Sequence, residues 1–417
     1  MLDIAALLIT LTALFAWLNH KLIRLPSTIG VMAIALVLSL GLVALGRLGF
    51  AGIAGQAERL VASVDFTTVL MQGMLSLLLF AGALHVDLAD LVSRRHAIGV
   101  LATVGVLIST AIVGLAAWVV LELVGLPVRL IDCFVFGALI SPTDPIAVMG
   151  ILKSANAPKG LEIKITGESL FNDGVGVVLF AVLLGLAQGT RPMSLGGVVL
   201  LFLEEAAGGI VLGLVLGYLT YLLLRSIDHY KVEILLTLAL VLGGNALATK
   251  LHVSGPLAMV VAGLFIGNHG RLFAMSETTE RHVDTFWELI DEILNAVLFV
   301  LIGLEVLALT FRVERLAASL LMIPVVLLAR FVAVGVPLSL LRRWREYTPH
   351  AVKILTWAGV RGGISVALAL SLPPGPARQI FLPMTYVIVL FSILVQGLSL
   401  GRVVKRAGVA SSPEPAA

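Results

Sequence analysis

Long uninterrupted runs of hydrophobic residues dominate the chain, and short polar segments separate them. Thirteen runs reach the roughly 20 mostly apolar residues that a bilayer-spanning helix needs. They cover residues 3–19, 28–46, 68–90, 97–124, 131–152, 164–187, 194–224, 231–251, 254–268, 283–310, 317–341, 350–372 and 378–402. The runs lack the period-two alternation of a transmembrane barrel. The pattern therefore predicts an all-α polytopic membrane protein, since helices satisfy their own backbone hydrogen bonds in lipid.

The composition agrees with this pattern and leaves little room for a soluble domain. Of the 417 residues, 59% are hydrophobic and 13% are charged, whereas about a quarter of the residues in soluble domains are charged. The single cysteine, Cys133, excludes an internal disulfide and a CxxC metal site. The lipid bilayer is the expected environment, and the net charge of +3 implies no nucleic-acid partner.

Lysine and arginine are distributed unevenly between alternate connections of the predicted spans. One set of connections holds 18 of these residues and the other holds 8. Because Lys and Arg accumulate in cytoplasmic loops, we expect a multi-pass protein of the cell inner (plasma) membrane, with its N-terminus outside and its C-terminus in the cytoplasm. The two remaining cations, Arg330 and Arg361, fall inside apolar runs.

An odd number of spans fits an arrangement of six plus one plus six. We expect a single transmembrane domain over 1–402, made of repeat one (about 1–187), a linking helix (about 194–224), and repeat two (about 231–402), followed by a short cytoplasmic tail over 403–417. The two repeats would have opposite orientations. Secondary transporters with inverted repeats place their site where interrupted helices meet near the bilayer midplane.

Two predicted spans carry such interruptions in corresponding positions of the two halves. The fifth reads SPTDP at 141–145, and the twelfth reads GVRGG at 359–363. Two prolines three residues apart disfavour helix and free backbone carbonyls around Thr143 and Asp144. A simple proline kink is the alternative, but the acid and the matching second break favour a site.

The sixth span presents a polar face made only of oxygen-bearing side chains. Ser169, Asn172 and Asp173 stand at i, i+3 and i+4 and therefore share one face of a helix. Hard cations prefer oxygen ligands. Contact between helices is the alternative role, but a carboxylate is costly at membrane depth and marks a functional site. Protonation and cation binding would then compete for Asp173, which predicts exchange of one monovalent cation for one proton.

The other intramembrane charges are expected to stabilise the fold around this site. We predict an ion pair between Glu168 and Arg361 that holds the two halves together. Asp144 would lie at the helix break near the ion, with Arg330 as a candidate charge partner. The charged segment 272–295 has helical spacing and is expected to lie along the cytoplasmic interface as a connecting helix, in preference to a gate or a partner contact.

At these residues the sequence resembles the NhaP and NHE type of monovalent cation/proton antiporters, the CPA1 branch. The resemblance covers all thirteen spans and is most specific at SPTDPIAV (141–148), GESLFNDGVGVVLF (167–180), VLFVLIGLEV (297–306) and WAGVRGGISVALAL (357–370). It implies a homodimer, a six-helix core in which the broken helices cross, an elevator-like displacement and electroneutral exchange.

The resemblance also implies roles for individual residues. Asp173 would carry the ion and the proton, with Asn172, Ser169 and the main-chain oxygen of Thr143 near the ion, Asp144 close by, and Glu168 paired with Arg361. Na+ would lie at Asp173, Ser169 and Thr143. The chain departs from the family pattern in its third span, where it reads LLLFAGALHVDL and has Ala81. Many relatives have a glutamate at this position.

The expected function is therefore that of a secondary antiporter, which exchanges Na+ or Li+ for H+ and needs no cofactor. K+/H+ exchange in the same fold is the alternative, favoured if the missing acid at position 81 loosens the site. An intramembrane protease would need HExxH, a Ser/His pair or paired catalytic aspartates. The chain has no HExxH and no GxxxxGK[ST] phosphate loop, and Asp144 with Asp173 is the only conceivable aspartate pair. Neither an enzyme nor an ATP-driven pump is therefore expected. A channel or a receptor would lack proton coupling.

Overall fold

A computed structural model describes residues 2–48, 52, 55, 73–155, 157–189, 195–308, 312–341 and 350–407. All regular secondary structure in these residues is helical. The all-α prediction is therefore confirmed for the described part of the chain. Residues 68–72 of the third predicted span and residues 408–417 of the predicted tail lie outside it.

Nine α-helices have both ends within the described residues up to 189. They are α1 (Leu2–Leu18), α2 (Ser27–Arg47), α3 (Leu75–Leu84), α4 (Leu88–Ser93), α5 (Arg95–Val100), α6 (Val106–Leu123), α7 (Leu130–Ile140), α8 (Ile146–Ser154) and α9 (Lys159–Ala187). A π-helical turn over Leu101–Gly105 joins α5 to α6, and another over Asn19–Ile23 follows α1.

The described residues from 195 to 407 contain ten α-helices. They are α10 (Leu195–Arg225), α11 (Tyr230–Leu251), α12 (Gly255–Phe265), α13 (Arg271–Ala274), α14 (Glu277–Glu305), α15 (Val313–Leu341), α16 (Ala351–Ala358), α17 (Gly363–Leu370), α18 (Pro376–Phe391) and α19 (Leu398–Arg406). Further π-helical turns over Ile266–Gly270 and Ser392–Gly397 make α12–α13 and α18–α19 continuous.

Nine helical segments of the described chain are long and apolar enough to cross a membrane, and the bent pair α16–α17 makes up to ten. Three predicted spans are absent from this set. The helix α3 has ten residues and is too short, the span made of α7 and α8 is broken, and α14 is rich in acidic residues. The protein is a multi-pass helical membrane protein, while thirteen spans and the 6+1+6 repeat stay predictions.

The two predicted interruptions are present. The helix α7 ends at Ile140 and α8 begins at Ile146, and the chain between them is not helical. The helix α16 ends at Ala358, and α17 begins at Gly363 with its axis bent by 47°. Local sequence explains both breaks, because prolines 142 and 145 cannot donate backbone hydrogen bonds and the glycines around Arg361 have low helix propensity.

Close helix packing brings the first break towards the centre of the bundle. The helices α6 and α7 lie against each other with the backbone of Gly137 against the carbonyl of Thr110, where a Cβ would overlap the oxygen. The hydroxyl of Ser141 at the end of α7 then lies 3.0 Å from the hydroxyl of Ser109 on α6. These contacts fix the position at which the chain leaves α7 and begins the unwound segment.

The helix α14 has two different faces. Thr279, Val283 and Trp287 are buried on one face, and the indole Nε1 of Trp287 donates a 3.0 Å hydrogen bond to Thr237 Oγ1 on α11. An adjacent face, about 100° further round the helix, carries Asp284, at i+1 from Val283, and the acids that follow it at helical spacing. Anchoring the apolar face on α11 therefore directs the acidic face towards the interior cavity described below.

Candidate functional site

The two helix breaks meet in the interior. The backbone N–H of Asp144 donates a 2.7 Å hydrogen bond to the carbonyl of Val360, so the unwound segments of the two halves are joined through their main chains. The guanidinium of Arg361 donates through Nη1 to the carbonyl of Ser141, and to that of Pro142 at 3.1 Å. Carbonyls freed by the prolines are thus satisfied by a buried cation from the other break.

The unwound segment is also bound to the polar face of α9. The hydroxyl of Ser169 donates to the main-chain oxygen of Thr143. The side-chain amide of Asn172 donates to Thr143 Oγ1 at 2.9 Å and accepts from the Thr143 N–H at 3.3 Å. Ser169, Asn172 and Thr143 are all buried. The oxygens of Ser169 and Thr143 are therefore held side by side.

Asp173 lies next to this arrangement and is 6% exposed. The close approach of α9 to the break is possible because residue 176 is glycine, since a Cβ there would overlap the ring of Pro142. No Lys or Arg of the described chain forms an ion pair with Asp173 within 4 Å. The structure thus brings together Ser169, Asn172, Asp173 and the break at Thr143, as the spacing predicts.

A cavity of about 1230 Å³ reaches this point. Thr143, Asp144 and Asp173 line its inner part, and Ala81 of α3 is also in its wall. Asp144 is half-buried and packs against Gly362, where a Cβ would overlap its carboxyl group. The predicted site therefore lies in the wall of a cavity large enough to admit hydrated ions.

The predicted ion pair between Glu168 and Arg361 is wrong. Glu168 is paired with Arg330 of α15, which donates through Nη1 to Oε1 and through Nη2 to Oε2 at 2.9 Å. Nη2 of Arg330 also lies 3.3 Å from the carbonyl of Leu355. Arg361 instead binds backbone carbonyls at the first break. Arg330, the candidate charge partner of Asp144, thus neutralises Glu168.

The site combines two broken helices, a polar helix face and a buried acid. Comparison with known proteins shows the family to which the chain belongs. The family model described as "Sodium/hydrogen exchanger, transmembrane" matches residues 8–406. The chain belongs to this family. The proposed resemblance to this group of exchangers is confirmed, and its members are transporters.

Individual members of the exchanger family match over almost their whole length. The chain is 54% identical over 410 residues to the Na(+)/H(+) antiporter NhaP of Pseudomonas aeruginosa, covering 97% of each protein. It is 36% identical over 397 residues to the Na(+)/H(+) antiporter NhaH of Halobacillus dabanensis, covering 93% of this chain and 94% of the other. The fold matches the sodium proton antiporter MjNhaP1 of Methanocaldococcus jannaschii with a TM-score of 0.74, at 19% identity, covering 96% of this chain and 97% of that one.

Sequence reasoning missed the acidic side of α14 in this exchanger. Asp284, Glu288 and Asp291 stand at i, i+4 and i+7, and all three line the cavity that reaches Asp173. Asp284 is paired with Arg271. The segment thus contributes acids to the cavity wall, and its role as a connecting helix stays a prediction. The regular spacing of acids on the face adjacent to Val283 and Trp287 was the available signal.

Proposed function

We propose that this protein is a secondary antiporter that exchanges Na+ for H+ across the membrane, with Asp173 as the group that carries either ion. One observation supports this most strongly. Asp173 is a buried acid in the wall of a cavity, beside fixed oxygens, and no described cation pairs with it within 4 Å. An isolated charge in such a place is costly. A bound proton or a bound cation relieves that cost.

The cation is held, in this proposal, by one carboxylate and two neutral oxygens. Asp173 supplies the charge, and Ser169 Oγ and the main-chain oxygen of Thr143 are adjacent because the hydroxyl donates to the carbonyl. Asn172 acts on the ion through Thr143, whose backbone and hydroxyl it fixes. A set of hard oxygens suits Na+ and Li+ and excludes softer metals. Asp144 lies close by and adds to the negative potential.

Competition between a cation and a proton for the single carboxylate of Asp173 would produce exchange. If the protein changes sides only when Asp173 is neutral, each cation carried one way is matched by one proton carried the other way. Asn172, being an amide, adds no second exchangeable charge. We therefore infer electroneutral 1:1 exchange, in which the rate does not respond to an imposed membrane potential.

The packing supports movement of the site as one body in an elevator-like step. Arg361 ties the second break to the first through two carbonyls, and Arg330 ties α15 to α9 through Glu168. These buried links hold both broken helices and α9 together. A homodimer, a plasma-membrane location and an outside N-terminus complete the proposal.

Transport by the purified protein in proteoliposomes tests this function. With an acidic lumen and a pH-sensitive dye, addition of Na+ or Li+ should release the pH gradient, and collapsing the membrane potential should leave the rate unchanged. A wild-type protein that fails to respond to Na+, Li+ and K+ contradicts the proposal. Single-channel currents far above carrier turnover would indicate a channel instead.

K+/H+ exchange is the second candidate function, and one residue of the cavity wall, Ala81, favours it. Ala81 contributes only a methyl group there, so the outer part of the site has one fewer oxygen than a larger polar residue would give. A looser site discriminates less against the larger ion. The same assay with K+ as the only added cation decides between the two candidates.

A further inference from the structure

A serine of the second broken helix lies in the wall of the same cavity. Ser365 is in the first turn of α17, three residues after Gly362, which packs against the carboxyl group of Asp144. Ser365 lines the cavity together with Asp144 and Asp173. The second broken helix therefore contributes a serine to the cavity wall, in addition to the backbone contacts at its break.

The hydroxyl of Ser365 has no hydrogen-bond partner among the described residues, although the residue is only 1% exposed. An unsatisfied buried hydroxyl is costly because it loses its hydrogen bonds to water without replacement, so such groups require an explanation. Four other buried hydroxyls in the described helices donate to the carbonyl four residues earlier, namely those of Thr12, Ser319, Thr356 and Thr385.

Ser365 differs from these residues because of its position. The residue four positions earlier is Arg361, which belongs to the break and not to α17. The usual backbone acceptor is therefore outside the helix, and the oxygen stays available for another partner. Its lone pairs are suited to a hard cation, in the same way as those of Ser169 Oγ and the Thr143 carbonyl.

We propose that Ser365 Oγ is a further ligand of the transported cation, contributed by the second broken helix. The site then takes oxygens from both halves of the molecule, namely Asp173, Ser169 and Thr143 from the first and Ser365 from the second. This inference rests on the proposed antiport function and adds one binding group to it. It assigns Ser365 to affinity for the cation and not to the stability of the fold.

The experiment compares Ser365→Ala with a matched control, Ser76→Ala. Ser76 on α3 is also buried, at 2% exposure, and its hydroxyl also lacks a partner among the described residues, but it is not in the wall of the cavity. In proteoliposomes, Ser365→Ala should raise the half-saturating Na+ concentration by at least about fivefold while the maximal rate stays within about twofold. Ser76→Ala should leave both unchanged.

A second readout is independent of transport. Na+ that binds the folded protein raises its Tm, and this Na+-dependent rise should shrink in Ser365→Ala and persist in Ser76→Ala. Ser365→Cys, which keeps the size and replaces a hard oxygen by a soft sulfur, should behave like Ser365→Ala. Loss of folding in both Ser365 variants would assign the residue a structural role and reject the proposal.

The outcomes separate this inference from the function on which it rests. An inactive wild-type protein overturns the antiport function itself. An active wild-type protein with unchanged half-saturation in Ser365→Ala overturns only the assignment of Ser365. Equal effects of Ser365→Ala and Ser76→Ala would also overturn it, because they would trace the change to a general loss of packing.

Discussion

Asp173 combines two properties that oppose each other energetically. It is a buried residue of α9 beside the first break, and within the described chain no arginine or lysine forms an ion pair with it. Glu168, five residues earlier on the same helix, is equally deep but is neutralised by Arg330. In the proposed function, this contrast separates Asp173, the acid that would bind an exchangeable ion, from Glu168, the acid that is neutralised within the fold.

Replacing Asp173 by alanine should abolish exchange without unfolding the protein. Removal of an unpaired buried charge relieves a desolvation cost, so the Tm should stay equal or rise. Proteoliposome exchange and thermal unfolding in detergent measure the two effects. Asp132→Ala, which removes a half-buried acid paired with Arg129 outside the cavity wall, serves as the control and should keep exchange. Normal Na+/H+ exchange by Asp173→Ala would disprove the role given to this residue.

Elements of secondary structure are connected through buried charges at the site. Arg330 lies on α15 and Glu168 on α9, and their two parallel hydrogen bonds give a fixed relative position to the two helices. Arg361 performs a similar task between the two breaks, with carbonyl oxygens as its partners. Helix α14 adds its acidic face to the cavity without taking part in these links.

The Glu168–Arg330 pair should dominate the stability of this region. Glu168→Ala and Arg330→Ala should each destabilise the protein by ~3–5 kcal/mol, because each leaves one buried charge unpaired. The double variant should lose clearly less than the sum of the two single losses. Thermal unfolding of the four proteins measures this coupling. A stronger coupling of Glu168 with Arg361 than with Arg330 would favour the pair that the structure rejects.

The acidic face of α14 should act on the entry of cations. Asp291→Asn combined with Glu288→Gln removes two negative charges from the cavity wall, and we expect the half-saturating Na+ concentration to rise by about threefold or more at low ionic strength, and less at high ionic strength. Glu277→Gln is the control, since this exposed acid at the start of α14 is outside the cavity wall. Equal responses of the control and the double variant would argue against an entry role.

The predicted orientation of the whole molecule in the membrane follows from the distribution of Lys and Arg between alternate connections. The continuous segment Arg95–Leu123 is long enough to cross the bilayer, and the charge distribution predicts that its beginning is cytoplasmic. The acidic face of α14 belongs to a segment that is predicted to start on the cytoplasmic side as well. The cavity in this conformation would then open to the cytoplasm.

Single cysteines at the two ends of this segment should test the orientation. In a Cys133→Ala background, Ser93→Cys and Glu122→Cys place thiols at exposed positions before α5 and at the end of α6. In intact cells, an impermeant maleimide should label Glu122→Cys and spare Ser93→Cys. Labelling in inverted vesicles should show the opposite result. The reverse pattern would invert the predicted topology.

Sequence alone determined the membrane environment, the helical class, both helix breaks and the polar face of α9. Each of these depends on composition or on local spacing, such as prolines 142 and 145 or the i, i+3, i+4 set ending at Asp173. Physical rules of this kind act between residues that are close in the chain. The sequence motifs also predicted the family, which comparison with known proteins confirmed.

Only the tertiary structure decided which charges pair and which groups face the cavity. Glu168 and Arg330 are separated by 162 positions, and the sequence offers Arg361 as an equally good partner. The acids of α14 line the cavity because the adjacent apolar face of this helix packs on α11. Ser365, whose hydroxyl has no described acceptor, is a residue of the same cavity wall. Such relations are set by helix packing, which local patterns leave undetermined.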